Sequence, residues 1–182
     1  MTKVDRRILK TQEALKRAVL ELMAEKSFDD ITIQDIADRA NVNRGTIYLH
    51  YQDKYDLLDK LIEEHLNELG EMEEWACEMD WVDALVPYFE YFEKHYLFFS
   101  TMLASKGAPF SFRTRLLSSF MEGFKGEIDR ESGKNADVSD DVLLHFAGTA
   151  YVGAIEWWIR NGMPHPPQAM AKQIGTLLGR TL

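Results

Sequence analysis

The chain has 182 residues, 46% of them hydrophobic and 28% charged, with a formal net charge of −9. That length buries a real core, while the acidic balance argues against a general nucleic-acid coat protein. A single cysteine, Cys77, excludes an intrachain disulfide or a thiolate metal site built within one chain, and its acidic neighbours disfavour the thiolate. The N-terminus is polar, with Lys3, Arg6, Arg7 and Lys10 against Asp5, and carries no apolar signal core. No apolar run approaches the roughly 20 residues of a membrane span, so a cytoplasmic chain with no membrane partner is expected. Basic and acidic residues balance over 1–60, so the whole acidic excess falls on 61–182, which DNA should repel.

Leu15, Ala18, Val19, Leu22 and Met23 give the first predicted helix its inward stripe, and Phe28, Ile31 and Ile33 close the path that follows. Thr32 and Asp35 form a capping box for a second helix, with Ile33, Ile36, Ala37 and Ala40 at helical spacing. Asn41 occupies a turn that needs a residue tolerant of positive φ, Val42 plugs the corner, and Asn43 caps a third helix. Two short helices joined this way present the second to the major groove of DNA. The expected DNA contacts are Thr32, Gln34, Asn43, Arg44, Gly45, Thr46, Tyr48, His50, Tyr51 and Lys54. Arg44, Gly45 and Thr46 lie in the first turn, where side chains reach base edges, and Ile47 turns inward. Tyr48, His50 and Tyr51 bring donors near the phosphates. Asp53 and Asp56 form a second capping box, and Lys54 behind it faces the helix dipole at a cost that a phosphate would relieve.

The helical pattern continues from Lys54 to about Met79, with Gly70 as a possible bend. Further helices are predicted over Trp81–Lys94, with Pro87 as a kink or break, Tyr96–Ser105, residues 110–131, Ser139–Asn161 and Gln168–Arg180. Ala171, Gly175 and Gly179 recur every fourth residue, beside an apolar stripe containing Met170, Ile174 and Leu178. Ala150 and Ala154 are spaced likewise, next to Trp158. Mid-helix glycine costs about 0.5–1 kcal/mol against alanine, so close helix contact should offset it. The partner helix lies either in the same chain or in a second subunit. No metal spacing, phosphate loop, nucleophile elbow or dinucleotide fingerprint is present, so neither a cofactor nor an enzyme activity is expected.

The run from Thr46 through Ile47, Tyr48, His50, Tyr51, Lys54, Asp56 and Leu57 to Leu58 resembles the TetR family of transcriptional regulators, over about residues 7–60. One departure is Asn41, where the family commonly has glycine. The resemblance implies an all-α fold: a three-helix DNA-binding head with a helix-turn-helix over 1–53, and a helical ligand-binding and dimerisation body over 54–182. It implies a homodimer reading a palindromic double-stranded operator, with an interface at Ala150, Ala154, Trp158, Met170, Ala171, Ile174, Gly175, Leu178 and Gly179. It also implies an unidentified small-molecule ligand in a pocket lined by Trp75, Tyr88, Tyr91, Phe92, Phe99, Met102, Phe120, Phe124 and Trp157, whose binding releases a repressor. The tail from Gly153 through Trp157 and Trp158 to Gly162 is similar to a subgroup that includes regulators of dihydroxyacetone-kinase operons. Some of these act through a protein partner, which gives the alternative of a co-regulator with the same fold.

Overall fold

The computed structural model describes residues 6–76, 79–104, 112–128 and 135–182, without the side chains of 73–76 and Glu127. Lys3, Asp5, Cys77 and the Trp75 side chain therefore lie outside the described residues. Every described element is helical: α1 (Arg6–Glu25), α2 (Ile33–Ala40), α3 (Arg44–Tyr48), α4 (Lys54–Ala76), α5 (Trp81–Lys94), α6 (Tyr96–Ala104), α7 (Phe112–Phe124), α8 (Asp140–Arg160) and α9 (Pro167–Thr181). They fall into two compact units. The first takes the described residues up to His65, and the second takes Leu66–Ala104 and the described residues from Phe112 onward. The division lies inside α4 rather than at 53/54: Leu57, Leu58, Leu61 and Ile62 of its first turns are buried, and Glu64 pairs with Lys16 of α1. Gly70 does not interrupt that helix.

In the first unit Leu15, Val19, Ile36, Ile47, Leu57, Leu58 and Ile62 are buried at helical spacing from each contributing helix. Between α1 and α2 the chain makes a 3₁₀ turn over Phe28–Asp30. Around this core, Arg39 donates to Glu25 at 2.7 Å, Lys26 to Asp35 at 2.8 Å, and Lys16 meets Glu64 at 2.5 Å. The two pairs of Arg39 and Lys26 lie near the surface and contribute little stability each, while Lys16 is half-buried where it links α1 to α4.

The second unit is built on aromatic rings meeting edge to face, the geometry their quadrupoles favour. Phe89 meets Trp158 at 5.3 Å, Phe92 meets Phe99 at 4.8 Å and Phe120 meets Tyr151 at 4.7 Å between centroids. Asp80 caps α5 by accepting from the Val82 amide at 2.7 Å, and α5 continues helical through Pro87. Gly162, at φ 71°, ends α8, and Pro167 begins α9 at its first position, where a missing N–H costs nothing. By length and a mean hydropathy of 1.2, α8 qualifies as a possible membrane span, contrary to the sequence-based expectation, but half of that window is buried inside the second unit. It has the composition of a core helix.

Candidate nucleic-acid interface

The turn between α2 and α3 folds as local chemistry dictates. The Asp35 amide donates to the Thr32 hydroxyl at 3.1 Å, while Asp35 Oδ2 accepts from the Thr32 amide at 2.8 Å. Asn41 adopts φ 54°, ψ 48° and sends its N–H back to α2, so asparagine does here what the family's glycine does. Asn43 Oδ1 then accepts from the Gly45 amide at 2.8 Å and starts α3. A Cβ at position 45 would stand 3.3 Å from that oxygen, so a side chain there would press on the cap. Lys26, beside the Thr32 donors, holds the Asp35 carboxyl down to a pKa of about 2.

With Ile47 fully buried beneath it, α3 turns a polar side outward. Arg44 and Asn43 are exposed, Thr46 and His50 are half-buried, and Tyr48 is exposed. The Arg44 guanidinium donates to the Tyr48 hydroxyl at 3.2 Å and lies 5.8 Å from its ring centroid, which orders both side chains. Leu49, which was not singled out from the sequence, is 80% exposed on the same short helix end. A leucine held so far into water gains nothing from folding, and that exposure is the signal a sequence cannot print. Thr32 and Gln34 begin α2, and Gln34 donates to Asp38 at 2.8 Å.

Two expected contacts are placed differently. Tyr51 is buried, burial raises its hydroxyl pKa, and Lys60 Nζ of α4 stands 5.5 Å from its ring centroid. Lys54 donates to three backbone carbonyls within the first unit. The second capping box is also shifted: Asp53 accepts from the Tyr55 and Asp56 amides, but Asp56 reaches back to the Gln52 amide at 2.8 Å rather than to Asp53. That bond, ahead of Lys60, lowers the Asp56 pKa.

In the second unit Tyr88, Tyr91, Phe92, Phe99, Met102, Phe120 and Phe124 are buried together, as a pocket lining or a core would require. Trp157 is 49% exposed and so does not line that interior. Its neighbour Trp158, expected at a subunit interface, is wholly buried and donates from Nε1 to the His165 carbonyl at 2.8 Å. The small-residue stripe of α9 is likewise satisfied inside the chain. A Cβ on Gly175 would lie 2.7 Å from the Trp81 carbonyl oxygen, and one on Gly179 would lie 3.1 Å from the Trp81 ring. Ala171, Met170 and Leu178 are buried with Gly175, while Ile174 is half-buried and Gly179 is exposed. Both glycines let α9 approach α5 closely within the chain. Of the residues expected at an interface on α8, Ala150 is exposed and Ala154 half-buried. They lie on an apolar stripe that the sequence reading missed: Val142 is 61% and Phe146 64% exposed, and Trp157 continues the row.

Residues 16–61 match the family described as bacterial regulatory proteins of the tetR family, and residues 79–180 match the family described as the C-terminal region of transcriptional regulators. An uncharacterized HTH-type transcriptional regulator of Bacillus subtilis, YxbF, is 42% identical over 67 residues, covering 36% of this chain and 18% of that protein. A probable acrEF/envCD operon repressor of Escherichia coli K12 is 38% identical over 68 residues, covering 32% of this chain and 31% of the repressor. The chain thus spans less than a third of either relative's length. The dihydroxyacetone kinase operon activator DhaS superposes over 94% of this chain and 96% of its own with a TM-score of 0.65, at 20% identity, a likeness of fold alone. With a head match laid over the helix-turn-helix and a body match covering more than half of the chain, this protein belongs to the TetR family.

Proposed function

We propose that the chain is a homodimeric transcriptional repressor that reads a palindromic operator through the first turn of α3 and is released by a small ligand bound in the second unit. The observation that carries this reading is the outward side of α3. Asn43, Arg44 and Tyr48 stand exposed on a doubly capped turn over a buried Ile47. Packing has no use for that polarity, whereas a base edge in the major groove does. Repression is supported by the E. coli relative, which is itself described as a probable repressor.

The stripe of Val142, Phe146, Ala150 and Trp157 supports pairing with a second copy. Two symmetric subunits would cover it and set their recognition helices about 34–36 Å apart. The buried ring cluster supports an aromatic, uncharged or cationic ligand. Of the three cations that could reverse this preference, Arg113 is exposed and pairs with Glu156 at 3.0 Å, Lys125 is exposed and pairs with Glu122, and Arg115 is half-buried.

The test is selection of bound sites from random double-stranded DNA by the purified protein. Enrichment of an inverted repeat is expected. Enrichment of nothing would sink the DNA reading and favour the co-regulator that works through a protein partner. A thermal-shift screen of cationic, neutral and anionic aromatic compounds, followed by operator release for each hit, tests the switch. Hits confined to anions would overturn the charge preference.

A further inference from the structure

Lys54 opens α4, where a cation faces the positive end of the helix dipole and needs a compensating partner. Its Nζ donates to the carbonyls of Phe28, Asp29 and Ile31 at 2.9, 2.9 and 2.8 Å. An ammonium carries three protons, so every donor is used. The same nitrogen stands 4.9 Å from the Phe28 ring centroid and 5.2 Å from that of Tyr55. Those two rings meet edge to face at 5.4 Å. Carbonyl oxygens and ring faces of the chain itself thus surround the charge. All three carbonyls belong to the segment that carries the chain from α1 into α2, and the capping box of α2 begins at the next residue, Thr32.

We propose that Lys54 is a positioning residue: it ties the first turn of α4 to the turn entering the helix-turn-helix, holds α2 and α3 in place for base readout, and neutralises no DNA phosphate. This rests on the DNA-binding reading above. A phosphate could take a Lys54 proton only by displacing a carbonyl and leaving it without its partner, two of the three in part-buried positions. The cage also distinguishes cations. Three convergent protons on a compact ammonium fit it, whereas a planar guanidinium fork cannot aim at three oxygens from one nitrogen. A phosphate on an open surface accepts arginine at least as readily as lysine.

The experiment compares the full chain with Lys54→Met and Lys54→Arg on the DNA site that the unaltered protein selects. Affinity is measured across a salt series, and amide hydrogen exchange is followed at Ile31, which bonds to the Phe28 carbonyl. A positioning role predicts that Lys54→Met binds about tenfold more weakly at every salt concentration, with an unchanged slope of log affinity against log salt. It also predicts faster exchange at Ile31 and no rescue by Lys54→Arg. A slope shallower by about 0.9 in Lys54→Met, or wild-type affinity in Lys54→Arg, overturns the proposal. Should the unaltered protein select no site, the DNA reading fails by itself. Exchange at Ile31 then decides whether the tie exists: acceleration in Lys54→Met upholds it and an unchanged rate overturns it.

Discussion

Arg44 is anchored by one contact, the Tyr48 hydroxyl, and the rest of its fork remains exposed. A guanidinium ordered in this way can pair bidentately with a guanine edge. Arg44→Ala should therefore cost about 1–3 kcal/mol at the selected site and relax preference at one position per half-site, as read by repeating the selection. Undiminished operator affinity would remove Arg44 from the readout. Asp35 makes a different residue-scale prediction. Its carboxyl, bonded to Lys26 and to both Thr32 donors, titrates at about 2 in the folded chain against an ordinary 3.8. A depressed carboxyl pKa stabilises the fold above the unfolded value and loses that contribution as pH falls through the folded one. The stability difference between the wild type and Asp35→Asn should hold steady above about pH 4 and shrink between about pH 4 and pH 2, as measured by denaturant unfolding. A difference that does not change with pH would deny the carboxylate this role.

At the scale of elements, the sequence spoke clearly wherever the physics is local. The Thr32–Asp35 box, the left-handed Asn41 and the Asn43 cap each involve groups a few residues apart, and all three form as their side chains dictate. Partners distant in sequence were not legible. The spacing of Ala171, Gly175 and Gly179 announces that something approaches α9 closely, but nothing in the spacing names α5. Adjacent tryptophans were harder still. On an α8 that is apolar nearly all round, only the phase of packing decides that Trp158 turns inward and Trp157 outward. The partners of Lys54 were not legible for a similar reason, since those carbonyls lie more than twenty residues earlier. The correction changes what a mutation should do. Gly175→Ala would drive a Cβ to 2.7 Å from the Trp81 carbonyl oxygen and 2.8 Å from Val82 Cα, backbone atoms that cannot swing aside. It should destabilise the subunit by about 1–3 kcal/mol in thermal unfolding. An unaltered melting temperature would show that α5 and α9 do not approach this closely.

For the whole molecule, the proposed pairing rests on the outward side of α8. Phe146→Glu would add a charge in the middle of the exposed stripe without touching the core. Sedimentation should show a shift from dimer to monomer, and operator affinity should fall with it, because two half-sites are then no longer bound through one rigid pair. An intact dimer in Phe146→Glu would move the interface elsewhere. The same stripe has a thermodynamic consequence. If a second copy covers Val142, Phe146 and Trp157, folding and pairing share one equilibrium, and mass action enters the stability of the chain. The melting temperature of the wild type should then climb with protein concentration, while that of Phe146→Glu stays level across the same dilution series. At very low copy number a regulator built this way would bind less DNA simply because fewer of its chains are paired, with no ligand involved.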